Sequence, residues 1–182
     1  MSGHNKFSQI KRKKGFTDAK KSKAFSMFAR LITIASKQAG GDASSPTLRT
    51  IIDKAKKASM PKDNIDRAVK KGTDTGSSAY SEVMFETYGP GGVGVIITGI
   101  TDNKNRTSQE IKHVLSKHGY DLANPGSVIW AFGAGRDEES GGISYSATTR
   151  VPISDSDKEK LALLVDALEK HEDIKDIFTN EE

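Results

Sequence analysis

The chain has 182 residues, 35% apolar and 29% charged, with a formal net charge of +4 and no cysteine. It is long enough for one large or two small domains, and with no cysteine it holds no disulfide scaffold, thiolate metal site or cysteine nucleophile. No apolar run approaches the roughly 20 residues that cross a bilayer, and the basic N-terminus lacks the apolar stretch of a secretory signal, so a soluble, intracellular protein is the expectation.

Residues 1–17 read as a basic arm, with Lys6, Lys11, Arg12, Lys13 and Lys14 around Phe7 and Ile10. From Asp18 the pattern turns helical, as Phe25, Phe28, Leu31/Ile32 and Ala35 recur at three- and four-residue spacing. Gly40-Gly41 stops that helix. Ser45-Pro46 starts a second, with Leu48, Ile51, Ile52 and Ala55 as its inner stripe. A third begins near Pro61, buries Ile65, Ala68 and Val69, and closes at Gly72. Residues 73–79 are small and polar and read as a linker.

The period then becomes strand-like. Val83–Tyr88 and Val93–Thr101 form a hairpin through Gly89-Pro90-Gly91-Gly92. Thr107-x-x-Glu110 reads as a capping box that opens a helix with Ile111, Val114 and Leu115 inside. Val128–Phe132 and Ile143–Val151 are predicted strands, separated by a loop rich in glycine and acid. Ser154-x-x-Asp157 opens the last helix, with Leu161, Leu164, Val165 and Leu168 on one face. Ile174–Phe178 is the final strand. The expected fold class is α+β: a small N-terminal three-helix domain over 1–78, then a ferredoxin-like βαββαβ domain with an extra N-terminal strand over 79–182. That architecture hosts many functions and decides none.

Catalytic signals are absent. Gly89–Gly94 formally matches G-x-G-x-x-G, but a strand follows where a dinucleotide site needs a helix N-terminus, so the match is a hairpin turn. His113 and His118 are five apart on one helix, about 140° around its axis, and do not chelate one metal from one face. Asp137-Glu138-Glu139 reads as a solvated turn. No motif of a zinc protease, serine hydrolase or P-loop occurs. The expectation is a non-enzyme without cofactor, metal or small-molecule substrate.

Charge is more informative. Residues 1–72 hold 18 Lys and Arg against five Asp and no Glu, whereas residues 73–182 hold 10 against 19 acids. Such a block points to a polyanionic partner. Lys11, Arg12, Lys13, Lys14, Lys20, Lys21 and Lys23 place seven cations within thirteen residues, which suits salt-sensitive, sequence-tolerant phosphate contact. Phe7 and Phe16 either stack on unpaired bases or pack on the helical domain. Thr101-Asp102-Asn103-Lys104-Asn105-Arg106-Thr107 is, on physical grounds alone, a polar strand-to-helix loop.

Several strings together resemble the YebC family, whose mitochondrial members are translational activators. They are Gly3-His4-Asn5-Lys6-Phe7 with Ile10-Lys11-Arg12-Lys13, Met60–Ala68, Tyr88–Val93, Thr101–Thr107, Ser116-Lys117-His118-Gly119 and the Leu161–Asn180 ending. The resemblance implies a non-enzymatic nucleic-acid-binding protein, cytoplasmic or mitochondrial. Members of the family were long described as probable DNA-binding transcriptional regulators, and the family is also linked to translation near the peptidyl-transferase centre, at proline-rich stalls. Carried over residue by residue, the basic motif falls on Lys6, Lys11, Arg12 and Lys13, and the polar loop on Asn103, Asn105 and Arg106. Phe7 stands where the family usually has tryptophan, and Gly133–Gly142 stands where it carries an inserted acidic domain.

The combined expectation is a cytoplasmic, ribosome-associated protein that contacts ribosomal RNA and does not touch membranes. Lys6, Lys11, Arg12, Lys13, Lys14, Lys20, Lys21 and Lys23 would meet phosphates, with Asn103, Asn105 and Arg106 positioning the second domain. A family motif starting at Gly3 leaves no room for a transit peptide, with a mature mitochondrial form as the alternative. The competing readings are a DNA-binding transcriptional regulator and a protein-interaction adaptor that uses the acidic C-terminal domain.

Overall fold

The structure, a computed structural model, describes residues 18–74, 79–136 and 143–182. The basic arm with Phe7 and Phe16, linker residues 75–78 and the acidic turn at 137–139 lie outside the described residues. Two units divide the chain: a helical one within Phe16–Glu82 together with Ile100–Asn103, and an α/β one built from Val83–Gly99 and Lys104–Glu182.

The helical unit contains α1 (Asp18–Gln38), α2 (Pro46–Lys57) and α3 (Lys62–Thr73). Helix α1 ends where expected, because Gly40 and Gly41 take φ of 58° and 83°, a region costly for residues with a Cβ. Pro46 occupies the first turn of α2, while the Ser45 hydroxyl caps no N–H. The core gathers Ile32, Ala35, Leu48, Ala55, Met60, Ile65 and Ala68, with Phe25 and Phe28 packed against it. Burying each of the larger aliphatic side chains is worth about 1.5–3 kcal/mol.

Two polar residues on the inner face of α1 draw α3 close. Thr33 Oγ1 donates to Ala29 O at 2.8 Å and to Ala68 O at 3.2 Å, and Ser36 Oγ donates to Val69 O at 2.8 Å. Gly72 does not close α3, which continues to Thr73. It lets the helices touch instead: a Cβ there would fall 2.6 Å from both Ser36 Cβ and Thr33 O. The glycine read as a stop signal is a contact point, since its neighbours in space are unseen in local sequence.

The α/β unit begins with β1 (Ser81–Tyr88), turns through a 3₁₀ turn at Pro90–Gly92, and returns as β2 (Gly94–Thr101). There follow α4 (Lys104–Lys117), a second 3₁₀ turn at Ile129–Ala131, β3 (Phe132–Arg136), β4 (Ile143–Ala147), α5 (Asp155–Glu169) and β5 (Ile174–Thr179). The α+β class and the expected order of elements from β2 onward are both present. Their pairing differs from a single ferredoxin-like sheet. Among the described residues, one sheet has the order β1-β2-β5, and β3 and β4 pair separately as a two-stranded ribbon. Strand β1 occupies the edge of β2 that β4 would take in the split βαβ arrangement.

Strand β2 is buried along almost its whole length. On one face Val95 and Ile97 meet Ile111 and Leu115 of α4 and Leu161, Leu164, Val165 and Leu168 of α5. On the other, Ile96 meets Val128, Ala131 and Phe132, with Tyr145 and Phe178 alongside. Strand β5 runs antiparallel to β2, with Val95 opposite Thr179 and a bulge at Thr98/Gly99. A Cβ on Gly99 would fall 2.4 Å from Asp173 O, so the bulge needs glycine.

Two sequence readings change for reasons of long-range bonding. Thr107 does not cap α4, which starts three residues earlier at Lys104. Its side chain is fully buried and donates to Asp173 Oδ2 at 2.7 Å, and the turn before the helix is closed by Asn103 N donating to Thr101 Oγ1 at 2.9 Å. The Ser154 box does hold: its hydroxyl accepts the Asp157 N–H at 3.2 Å and donates to Asp157 Oδ2 at 2.8 Å.

The predicted strand at Val128–Phe132 is instead a turn leading into β3. Glu86, on β1 and only 3% exposed, accepts the N–H groups of Gly126, Val128 and Ile129 at 2.7, 2.6 and 2.9 Å. Those donors are thereby withdrawn from any ladder. The bridge of Thr87 to Leu122, and Ala123 N donating to Glu86 O at 2.8 Å, lay the same segment along β1.

Burial by itself pushes the Glu86 carboxyl up, but the three N–H donors outweigh it and hold the group below the usual glutamate range. The folded value lying below the unfolded one, its stabilisation is complete above the ordinary glutamate range and is lost as pH falls through the folded value. Glu86→Gln should therefore cost about 2–3 kcal/mol at neutral pH and flatten the acid limb of the stability curve. Urea titrations from neutral to acid pH, followed by Trp130 fluorescence, test this; parallel acid limbs for the two proteins would refute it. Gly72→Ala should destabilise the helical unit by about 1–3 kcal/mol, read as an earlier loss of far-ultraviolet helix signal.

Candidate nucleic-acid interface

The described members of the expected phosphate-contact set are Lys20, Lys21 and Lys23, in the first turns of α1. Lys20 and Lys21 are exposed and Lys23 is half-buried. Lys6, Lys11, Arg12, Lys13 and Lys14 lie outside the described residues. Asn103 and Asn105 are exposed at the start of α4.

Arg106, beside them, is committed to an internal network. Its guanidinium donates to Asp173 Oδ2 at 2.8 Å and lies 3.8 Å from Glu110 Oε2. The Asp173 side chain is 3% exposed and also receives the Thr107 hydroxyl. His171 completes the group, its Nδ1 accepting the Asp173 N–H at 3.1 Å while Nε2 faces Glu110 Oε2 at 2.9 Å. That bonding assigns the proton to Nε2.

Glu110, His171 and Asp173 hold three potential ligand atoms within 4.8 Å of one another. The chemistry does not suit a cation. Both histidine nitrogens are engaged, and the arginine already places a positive charge against the buried carboxylate. The cluster ties the first turn of α4 to the start of β5.

A groove that the sequence reading did not foresee lies within the helical unit. It has a volume of about 400 Å³ and runs between α1 and α3. Phe25, Ala29 and Met60 supply apolar walls, and Arg67, Lys71 and Tyr80 stand among its lining residues. Among the described residues, no Asp or Glu lines it. Lys71 Nζ lies 3.0 Å from the Tyr80 hydroxyl and 4.6 Å from the centre of its ring, and the Arg30 guanidinium is 5.8 Å from that ring. Arg67 bonds Asn64 Oδ1 and donates from Nε to Asp63 O at 3.2 Å. Asn64, Arg67 and Lys71 recur at i, i+3, i+7, so helical spacing alone places them on one face.

In the α/β unit, Trp130 is 65% exposed and Tyr88 46% exposed, and both are hydrogen-bonded to the backbone. Trp130 Nε1 and the Tyr88 hydroxyl both donate to Ser127 O, at 2.7 and 2.5 Å. The Glu86 clamp sets the position of the loop that carries this shared acceptor. Among the described residues, no helix is long and apolar enough to cross a membrane.

Comparison with known proteins agrees with this architecture. Residues 5–75 match the TACO1/YebC protein N-terminal domain, and residues 80–137 match the TACO1/YebC second and third domain. A "Probable transcriptional regulatory protein" of Fervidobacterium nodosum is 35% identical over 235 aligned positions, covering 99% of this chain and 93% of that protein. Since this chain has only 182 residues, that relative carries residues without a counterpart here. A protein of the same description from Petrotoga mobilis is 54% identical over 134 residues; the match takes in 72% of this chain but only about half, 53%, of the relative. The crystal structure of the conserved hypothetical protein Aq1575 from Aquifex aeolicus is similar with a TM-score of 0.85 at 30% identity, covering 96% of both chains. With matches to both parts of the family and a relative covered over nearly its full length, the chain belongs to the TACO1/YebC family.

Proposed function

We propose that this protein is a non-enzymatic, nucleic-acid-binding regulator of gene expression that contacts ribosomal RNA on the translating ribosome, in the cytoplasm, and relieves stalling at proline-rich stretches. The observation that carries the nucleic-acid reading is the charge of the helical unit. Residues 18–74 hold 13 Lys and Arg against six Asp and no Glu, and among the described residues the groove between α1 and α3 has cations but no acid in its lining. Lysines dominate that set, which suits contact with phosphates more than reading of base edges. The ribosomal step rests on the family resemblance of the basic arm and of the Asn103–Arg106 loop. The protein would act by positioning RNA, with no bond made or broken by its own residues.

The names of its relatives favour a second reading, regulation of transcription on duplex DNA. A major-groove reader presents a recognition helix with base-reading side chains facing outward. Here Asn64, Arg67 and Lys71 of α3 border the groove with α1. That placement favours the RNA reading.

Ultraviolet crosslinking in growing cells, followed by sequencing of the retained nucleic acid, separates the two. Large-subunit ribosomal RNA is expected; discrete promoter DNA would replace this proposal with the transcriptional one. In vitro, replacing Lys11, Arg12, Lys13 and Lys14 by alanine should reduce the salt slope for single-stranded RNA by up to about 3 units, and replacing Lys20, Lys21 and Lys23 by up to about 2. An unchanged slope in both variants would remove these residues from the phosphate contact.

A further inference from the structure

We propose that the groove between α1 and α3 is a binding site for one unpaired nucleotide, with its base against the apolar wall and Tyr80, and its phosphate on Arg67 and Lys71. The inference rests on the nucleic-acid reading above and assigns it a specific site.

The chemistry of the lining selects the ligand. Its volume of about 400 Å³ lies in the range of small-molecule sites. Phe25, Ala29 and Met60 offer a surface that a planar ring can cover, and Tyr80 supplies an aromatic ring at the same groove. Ser22, Ser26 and Asn64 add small polar groups able to meet the hydrogen-bonding edges of a base. The Thr33 hydroxyl is satisfied by Ala29 O and Ala68 O, so it shapes the wall and asks nothing of a ligand.

Charge complementarity decides the rest. Arg67 and Lys71 are exposed and, among the described residues, no carboxylate lines the groove, so an anion meets two cations at these walls. Arg67 bonds Asn64 and the Asp63 carbonyl, and Lys71 bonds the Tyr80 hydroxyl and stands over its ring. A phosphate oxygen offers each a charge-assisted bond in exchange, which is shorter and stronger. An acidic peptide would satisfy the cations but leave the aromatic wall without a planar partner. A base paired within a duplex would present phosphate but keep its faces stacked. An unpaired nucleotide meets both demands at once.

Tyr80 makes the proposal testable, because it contributes a ring and no charge. The full-length protein is titrated with single-stranded RNA, single-stranded DNA and duplex RNA of equal length, with fold checked by circular dichroism for every variant. Tyr80→Ala should weaken single-strand binding about tenfold and leave duplex binding unchanged, while Tyr80→Phe, which keeps the ring, stays near wild type. Arg67→Gln and Lys71→Gln should each weaken binding to all three probes and reduce the salt slope by about 1. Equal loss on RNA and DNA single strands would support the site as blind to the sugar; loss on RNA alone would support it as an RNA site. If the wild type binds single-stranded RNA but Tyr80→Ala binds every probe as well as wild type does, the groove assignment is overturned and the nucleic-acid reading stands. If the wild type binds none of the three, both fall.

Discussion

Strand β2 must be covered on both faces, and most of the α/β unit follows from that requirement. Its alternation places Val95 and Ile97 against α4 and α5, while Ile96 points to the opposite side. A two-layer unit would leave Ile96 in water. The second cover is the segment around Val128–Phe132 with the β3–β4 ribbon, and Gly94 admits it closely: a Cβ there would lie 2.7 Å from Val128 Cγ1. Glu86 holds that cover in place through three backbone N–H groups. One buried carboxylate thus does for an irregular segment what a ladder does for a strand, satisfying its donors without giving it regular structure.

The helices were legible because their signals are local. The apolar spacing in α1, α2, α3 and α5, the paired glycines after α1 and the Ser154 box all lie within a few residues of what they determine. The readings that changed depend on partners far along the chain. Thr107 bonds Asp173, Gly72 meets Thr33 and Ser36, and Glu86 reaches Gly126 through Ile129. A threonine three residues before a glutamate looks the same whether it caps a helix or anchors one. An apolar run such as Val128–Phe132 has the composition of a strand even when its N–H groups are claimed elsewhere. The pairing of β1 beside β2, in the place β4 would take, is likewise a choice between edges that one strand's sequence does not encode.

The candidate site divides in the same way. The basic character of the N-terminal part, on which the polyanion proposal rests, is readable from composition, since 18 cations against five acids need no geometry. The groove is not readable, because it needs two helices and Tyr80 brought together. Half of it was visible as the helical spacing of Asn64, Arg67 and Lys71, yet the same spacing describes any solvated helix face. Arg106 has a structural partner that local sequence does not show. In sequence it belongs with Asn103 and Asn105 as a polar loop, whereas in the structure its guanidinium neutralises a carboxylate that is 3% exposed.

That distinction orders the basic residues by what losing them would remove. Arg106 pairs with the buried Asp173 carboxylate, so its removal falls first on the junction of α4 and β5. Lys20 and Lys21 are exposed on α1, and removing their charge takes away long-range attraction with little effect on packing. Arg67 and Lys71 fall between these limits, exposed to solvent yet oriented by Asn64 and by the Tyr80 hydroxyl and ring. Cations of that third kind are already oriented before a ligand arrives, so less side-chain freedom is lost when an anion binds. In the proposed function, electrostatic attraction from the dispersed lysines and orientation at the groove are therefore separable contributions: the first would concentrate a polyanion at the helical unit, and the second would distinguish a strand with a free base from one without.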